Sequence, residues 1–356
     1  MPVDMSAQFA HKILAHFCVN ARDLPWRNPP GRPLPLDDAN WPYRVWLSEV
    51  MLQQTTVAAV TPYFERFTAR WPSVTALAAA EDADVMTAWA GLGYYARARN
   101  LLTCARAVAA SGGRFPEDEE GLRALPGVGA YTAAAIAAFA FGKRAVVVDG
   151  NIERVMARLF AIATPMPAAR DEIYARMDQL TPATGAGDFA QGCMDLARSL
   201  CTPRNPKCLL CPLTDECQGK AAPETYPVKT AKAARPERSG TAWWIECEGE
   251  VLLVRRPDKG LLGGMRALPS SGWTDGDAFA VFDGDWQTLG TVTHIFTHFR
   301  LTLTIEGVRL KRGCKPQLDG EWWRLDQIDE AGLPSLFAKA AARAMTWESF
   351  DGYRTE

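Results

Sequence analysis

Residues 125–133 read Leu-Pro-Gly-Val-Gly-Ala-Tyr-Thr-Ala, and residues 146–151 read Val-Val-Val-Asp-Gly-Asn. In the first stretch Gly127 and Gly129 can take backbone angles closed to other residues and leave room for close approach. A helix starting near Ala130 then points free N–H groups and its positive dipole end outward. That arrangement holds a phosphate without any net positive charge. The same turn can also simply join two helices. In the second stretch Asp149 follows three valines at the edge of an apolar run and opens a new helix. Asp is a common helix cap, so the residues alone leave a structural and a chemical reading open.

Outward from these two stretches, apolar residues recur at helical spacing over 6–18, 45–67, 82–89, 96–110, 132–141, 152–160 and 186–200. Breaks fall at Trp71-Pro72, Ser111-Gly112-Gly113, Pro126-Gly127 and Asp149-Gly150. Residues 28–42 are Pro-rich and predict a loop. Residues 1–218 therefore predict an all-α domain. From 219 to 240 the chain turns rich in Ala, Pro and Lys/Arg without periodicity, which predicts an interdomain linker. Beyond it 241–247 and 251–256 flank a Glu-Gly turn, 294–305 partly alternates, and 335–343 predicts a closing helix. Residues 241–356 thus predict a second domain of α+β type.

A chain of 356 residues is too long for one ordinary core. Its 48% hydrophobic and 22% charged residues fit a globular protein. The longest small-apolar run, 131–142, falls short of the roughly 20 residues a bilayer span needs. With no basic stretch followed by an apolar one at the N-terminus, the expectation is a cytoplasmic chain without disulfides. A net charge of −2 gives no sign of a nucleic-acid partner. Of the 22 basic residues before residue 223, 18 are Arg, the residue that forks onto phosphates.

Four of the nine Cys form Cys201-x6-Cys208-x2-Cys211-x5-Cys217. Four thiols so close together in a chain expected to be cytosolic imply metal. Structural zinc takes four thiolates, usually as two close pairs. A 4Fe–4S cube can be wrapped by such a compact loop. Spacing leaves both open.

Taken in order, the hairpin at about 120–135, the trailing Asp149 and the four-cysteine loop at 201–217 resemble the endonuclease III superfamily of base-excision DNA glycosylases. The resemblance covers about residues 6–218. Endonuclease III carries a Schiff-base Lys where this chain has Tyr131, the second residue after the hairpin's last Gly. The segments Trp46-Leu-Ser-Glu49-Val-Met-Leu-Gln-Gln54-Thr and Gly91-Leu-Gly-Tyr94-Tyr-Ala-Arg-Ala-Arg-Asn100 resemble instead the MutY adenine DNA glycosylases. Those proteins carry a C-terminal MutT/Nudix-like domain. Leu261-Leu-Gly-Gly-Met-Arg-Ala-Leu-Pro269 and Phe296-Thr-His298 fit it, while the acidic RExxEE metal box of Nudix hydrolases is missing. The resemblance makes the second domain a reader of 8-oxoguanine through Phe296, Thr297 and His298, where Thr297 stands for the family's common Ser.

What the resemblance implies is specific. The substrate is double-stranded DNA with adenine opposite 8-oxoguanine or guanine, acted on by a monomer that does its work at the bacterial nucleoid and binds no membrane. The cofactor is one 4Fe–4S cluster on Cys201, Cys208, Cys211 and Cys217. Glu49 is the general acid and Asp149 the ionised partner that stabilises the sugar cation, with Tyr131 and Asn151 orienting them and the attacking water. Arg22, Trp26, Arg27, Leu52 and Gln191 form the adenine pocket. Gln54 and Tyr94 fill or wedge the opened stack, and Gly127 and Gly129 hold the backbone. Because a phenol cannot form a Schiff base, lyase activity is not expected.

Overall fold

The computed structural model describes residues 3–230, 235–257, 260–273, 282–316 and 318–347. It divides into two compact units, Met1–Ala231 and Lys232–Glu356, each considered by itself.

The first unit is helical: α1 (Val3–Asn20), α2 (Trp41–Leu52), α3 (Val57–Arg70), α4 (Val74–Ala78), α5 (Asp82–Trp89), α6 (Ala96–Ala110), α7 (Glu119–Arg123), α8 (Ala130–Phe141), α9 (Gly150–Leu159), α10 (Arg170–Leu180) and α11 (Ala186–Ser199). The periodic run 45–67 is two helices rather than one. After Leu52 the chain turns at Gln53–Thr55, and the Thr56 side chain accepts from Ala59 N to cap α3. The Pro-rich loop ends earlier than composition suggests. α2 begins at Trp41, and Pro42 sits in its first turn, where a missing N–H costs nothing. α10, with its polar surface, escaped the periodicity reading.

α8 is the axis of this unit. Nine consecutive residues, from Thr132 to Ala140, are buried, and small Ala side chains let α2, α7 and α11 pack close around it. Its middle is buried on all faces, which is why 132–141 is almost continuously apolar in sequence. Gly187 of α11 sits where a Cβ would come within 2.6 Å of Ala138 O, so only Gly allows this approach.

The stretch 219–240 is not a free linker throughout. Gly219 N donates to Arg158 O (2.8 Å) and Met166 N to Val228 O (2.8 Å), pinning its first half to the helical unit. Its end, from Glu237, already belongs to the first strand of the second unit.

That unit is a mixed sheet with a helix: β1 (Glu237–Cys247), β2 (Glu250–Arg255), β3 (Arg266–Ala267), β4 (Ser270–Ser271), β5 (Gln287–Ile295), β6 (Arg300–Arg309), β7 (Glu321–Arg324) and α12 (Ser335–Met345). The order is β3-β2-β1-β6-β5, with β4 on β1 and β7 on β2. β1 and β6 run parallel in register from Glu237↔Arg300 to Glu246↔Arg309; the other pairs are antiparallel. Leu301, Leu303 and Ile305 of β6 point to one face, against Phe337, Ala340 and Ala341 of α12. The partly alternating run 294–305 holds the end of β5, a turn and the first part of β6: Phe296 N donates to Phe299 O (2.9 Å), turning β5 into β6. Among the described residues no helix is long and apolar enough to cross a membrane.

Candidate active site

α2, α8, the start of α9 and α11 enclose a cleft of about 540 Å³ in the helical unit. Glu49 projects into it from α2 and is only 7% exposed. Burial is the main force on its carboxyl and pushes the pKa up to about 7. A hydrogen bond from Tyr131 pulls the other way, Asp149 raises the value further, and Arg27 lowers it. Tyr131, in the first turn of α8, donates from Oη to Glu49 Oε2 at 2.9 Å. Burial, and then the charges of Glu49 and Asp149, raise its own pKa well above the usual phenol value, so it stays a donor.

Asp149 caps α9, as the structural reading expects, and it also lines the same cleft. Its Oδ1 accepts from Asn151 N (3.0 Å) and Ile152 N (2.8 Å), and its Oδ2 from Asn151 Nδ2 (2.7 Å). Three N–H donors hold both oxygens in place. Asn151 Oδ1 in turn accepts from Arg154 Nη2 at 3.1 Å. The local sequence produces this: Asp at the N-cap, Asn at the second helical position and Arg one turn on.

The remaining pocket residues proposed from the sequence also converge here. Trp26 is buried with its ring edge-on to Phe64 at 5.1 Å, and it still lines the cleft with Leu52. Arg22 Nε and Arg27 Nη1 both grip Asp195, at 2.6 and 2.7 Å. Burial raises the Asp195 pKa, but bonding and charge from Arg27 together with Arg22 outweigh it and hold the group below its ordinary range. Gln191 lies one turn earlier on α11, and its buried Oε1 has no partner among the described residues. Sequence reasoning missed Asp195 and Arg154. Both are three or four residues from a singled-out position on the same helix, which places them on the same face.

Gln54 and Tyr94 do not line the cleft. Both are exposed, on loops whose residues have positive φ, +57° and +49°. Gly127 has φ +74° and needs to be Gly. Gly129 does not: its φ is −86° and its ψ 175°, extended backbone open to any residue. What Gly129 leaves instead is open space at the N-terminus of α8, since a Cβ there would meet nothing within 4 Å.

The four cysteines are free thiols beyond α11. Burial pushes the Cys211 thiol up to about 11, and Cys201, Cys217 and Cys208 add to the rise. Arg158, buried, laces the loop: Nη1 donates to Thr202 O (2.7 Å), Cys201 O (3.2 Å) and Cys201 Sγ (3.3 Å), and Nη2 to Pro203 O (3.1 Å). Arg154 Nε donates to Cys201 O at 2.9 Å. A donor set of four thiols, one of them beside a guanidinium, fits a thiolate-bound iron–sulfur group.

In the second unit Phe296 packs inward, stacked on Trp273 (5.9 Å between ring centroids) and edge-on to His294 (4.6 Å). Thr297 and His298 are exposed at the hairpin tip. The three proposed reader residues thus split into one anchor and two free side chains.

Family models match three segments: the HhH-GPD superfamily base excision DNA repair protein at residues 47–181, the iron–sulfur binding domain of endonuclease III at 201–217, and the NUDIX domain at 241–343. Fold and site together define a helix-hairpin-helix base-excision DNA glycosylase with an iron–sulfur loop. A solved thermostable thymine-DNA glycosylase is 28% identical with a TM-score of 0.54, covering 61% of this chain and 96% of that one. An endonuclease III–DNA complex, 22% identical with a TM-score of 0.51 over 62% of this chain and 98% of that one, shows the shared fold. Among curated relatives, the adenine DNA glycosylase of Homo sapiens is 33% identical over 85% of this chain and 67% of its own length. That of Mycolicibacterium smegmatis is 38% identical over 69% and 79%. The chain belongs to the MutY-type adenine DNA glycosylase family.

Proposed function

We propose that this protein removes adenine mispaired with 8-oxoguanine or guanine, by hydrolysis of the N-glycosidic bond after the adenine leaves the stack. The observation that carries the reading is Glu49: a buried carboxyl with a pKa near 7, held by Tyr131 and facing Asp149 in one cleft. An adenine anion leaves poorly, so the base must be protonated as the bond breaks. The developing sugar cation must also be stabilised. Two carboxyls in different environments meet both needs.

In this reading the adenine turns out of the duplex into the cleft between Trp26, Leu52 and Gln191, where the unpartnered Gln191 Oε1 can accept from the exocyclic amine. Glu49 gives its proton to N7. Asp149, its oxygens held by Asn151 and the α9 N-terminus, faces the sugar cation. Tyr131 and Asn151 keep the carboxyls in place while water attacks. With a phenol at position 131, no Schiff base forms there. Gln54 and Tyr94 enter the opened duplex, and the hairpin at Gly127 and Gly129 binds the backbone. Thr297 and His298, anchored by Phe296, read 8-oxoguanine.

We assign the iron–sulfur group as one 4Fe–4S cluster on Cys201, Cys208, Cys211 and Cys217. When bound, it supplies structural order to the loop. Incubation with duplexes carrying A opposite 8-oxoguanine, G, C or T, followed by alkaline cleavage, tests the function. Strand breaks at A opposite 8-oxoguanine and G, with far fewer opposite C or T, are expected. Equal cleavage of all four would refute the mispair reading.

A further inference from the structure

The two exposed side chains assigned above to the opened duplex sit on separate loops. Gln54 follows α2, and Tyr94 precedes α6 in a run of left-handed residues: Gly91 (φ +98°), Gly93 (φ +69°) and Tyr94 itself. Residues with a Cβ hold such angles only where their surroundings over-determine them. One side chain reaches the end of α2, a side chain of the Gln54 loop and the backbone of the Tyr94 loop. Arg97 Nη1 donates to Val50 O (3.1 Å) and Met51 O (3.0 Å). These are carbonyls of the last turn of α2, which have no partner within the helix. Its Nη2 donates to Thr55 Oγ1 (3.2 Å), the residue after Gln54. The same nitrogen reaches Leu92 O (3.2 Å) and Gly93 O (3.4 Å), just before Tyr94. The guanidinium also lies 5.4 Å from the ring centroids of both Trp89 and Tyr94, and Trp89 Nε1 donates to Gly93 O at 3.1 Å.

We propose that Arg97 is a positioning residue that joins the Gln54 and Tyr94 loops into one rigid two-pronged unit, so that both prongs enter the duplex in a fixed relation. The proposal rests on the reading of Gln54 and Tyr94 as duplex-inserting residues. Two loops ordered independently would each lose conformational freedom on binding DNA. A unit already locked loses less. The planar guanidinium suits the task because its two terminal nitrogens can hold separate sets of acceptors at once, whereas an ammonium is a single point on a flexible stem.

The test uses the full chain and an A:8-oxoguanine duplex with 2-aminopurine beside the mispaired adenine, whose fluorescence reports unstacking. Arg97→Lys, Thr55→Val, the pair Gln54→Ala with Tyr94→Ala, and the pair combined with Arg97→Lys are compared. Arg97→Lys should retain helical content and iron–sulfur absorbance yet weaken duplex opening about 10- to 100-fold. Thr55→Val, which removes one acceptor, should shift it less and in the same direction. Because Arg97 acts through the prongs, adding Arg97→Lys to the Ala pair should change opening less than about twofold. Normal opening by a folded Arg97→Lys, or a full multiplicative effect in the combined variant, overturns the proposal. Normal opening by the Ala pair alone would instead refute the prong reading, and the proposal would fall with it.

Discussion

Tyr131 Oη and Glu49 Oε2 lie 2.9 Å apart, joined by a hydrogen bond between residues 82 positions apart in sequence. The bond ties the start of α8, and so the hairpin turn before it, to the carboxyl on α2. It also restrains that carboxyl: burial raises the Glu49 pKa, and the Tyr131 donor limits the rise.

The proposed mechanism uses Glu49 in its protonated form, so excision in single turnover should be full below neutrality and fall as pH rises through about 7. Tyr131→Phe removes the donor that favours the charged carboxylate, so the falling limb should move to higher pH. Glu49→Gln should still bind the mispaired duplex while losing about 10²–10⁴-fold in adenine release. Near-normal release by that variant would take Glu49 out of the mechanism.

The same group has a measurable effect on stability. Its folded pKa of about 7 lies above the ordinary glutamate value of 4.5, so between these the folded state binds more protons than the unfolded one. The Glu49 contribution is fully present below pH 4.5 and is lost as pH rises through 7. Glu49→Gln does not titrate. It should gain on the unmodified protein by up to about 3 kcal/mol at pH 8 and little at pH 4. Denaturant titration at both values checks the sign.

Arg154 connects Asn151 Oδ1 to Cys201 O. Arg154→Met should therefore loosen the Asp149–Asn151 geometry and the first cysteine of the loop together. Adenine release should fall, and visible iron–sulfur absorbance should bleach faster under chelator than in the unmodified protein. Unchanged bleaching with lost activity would mean the loop is held without Arg154, principally by Arg158.

Borohydride trapping of the unmodified protein on an A:8-oxoguanine duplex should yield little covalent complex, because Tyr131 offers no amine. Tyr131→Lys should increase it. Efficient trapping by the unmodified protein would require another amine placed against the sugar.

Thr297 and His298 are exposed at the β5–β6 hairpin tip while Phe296 is stacked on Trp273. Replacing the first two by Ala should leave the second unit folded. The preference for A:8-oxoguanine over A:G should drop about tenfold or more, as expected for contacts that discriminate bases by about 1–3 kcal/mol. Equal losses on both substrates would make the loop structural only. Phe296→Ala, by contrast, should destabilise the unit.

Some of this was legible in the chain alone. The cysteine spacing located the metal loop because ligands close in sequence must be close in space. The Pro-Gly-x-Gly turn marked the hairpin because φ +74° at Gly127 needs a glycine. The second glycine misled: Gly129 is extended, and its missing side chain leaves space rather than bends the chain. The merged helix at 45–67 has a plain cause. Hydrophobic periodicity continues across a short polar turn, and the capping at Thr56 breaks it.

By itself the sequence determined which chemistries were available: four thiols, a Glu and an Asp in recognisable settings, a Tyr where a lyase has Lys. The thiols follow from residue identity and local spacing; the settings of the Glu, the Asp and the Tyr follow from the resemblance to a known family. Only the tertiary structure decided that Glu49 is buried enough to hold its proton near neutrality, that Asp195 gathers Arg22 and Arg27 on one wall, and that Arg97 bridges two loops. Burial and long-range ion pairing depend on groups remote in sequence, and α8, apolar on every face, brings those groups around one axis.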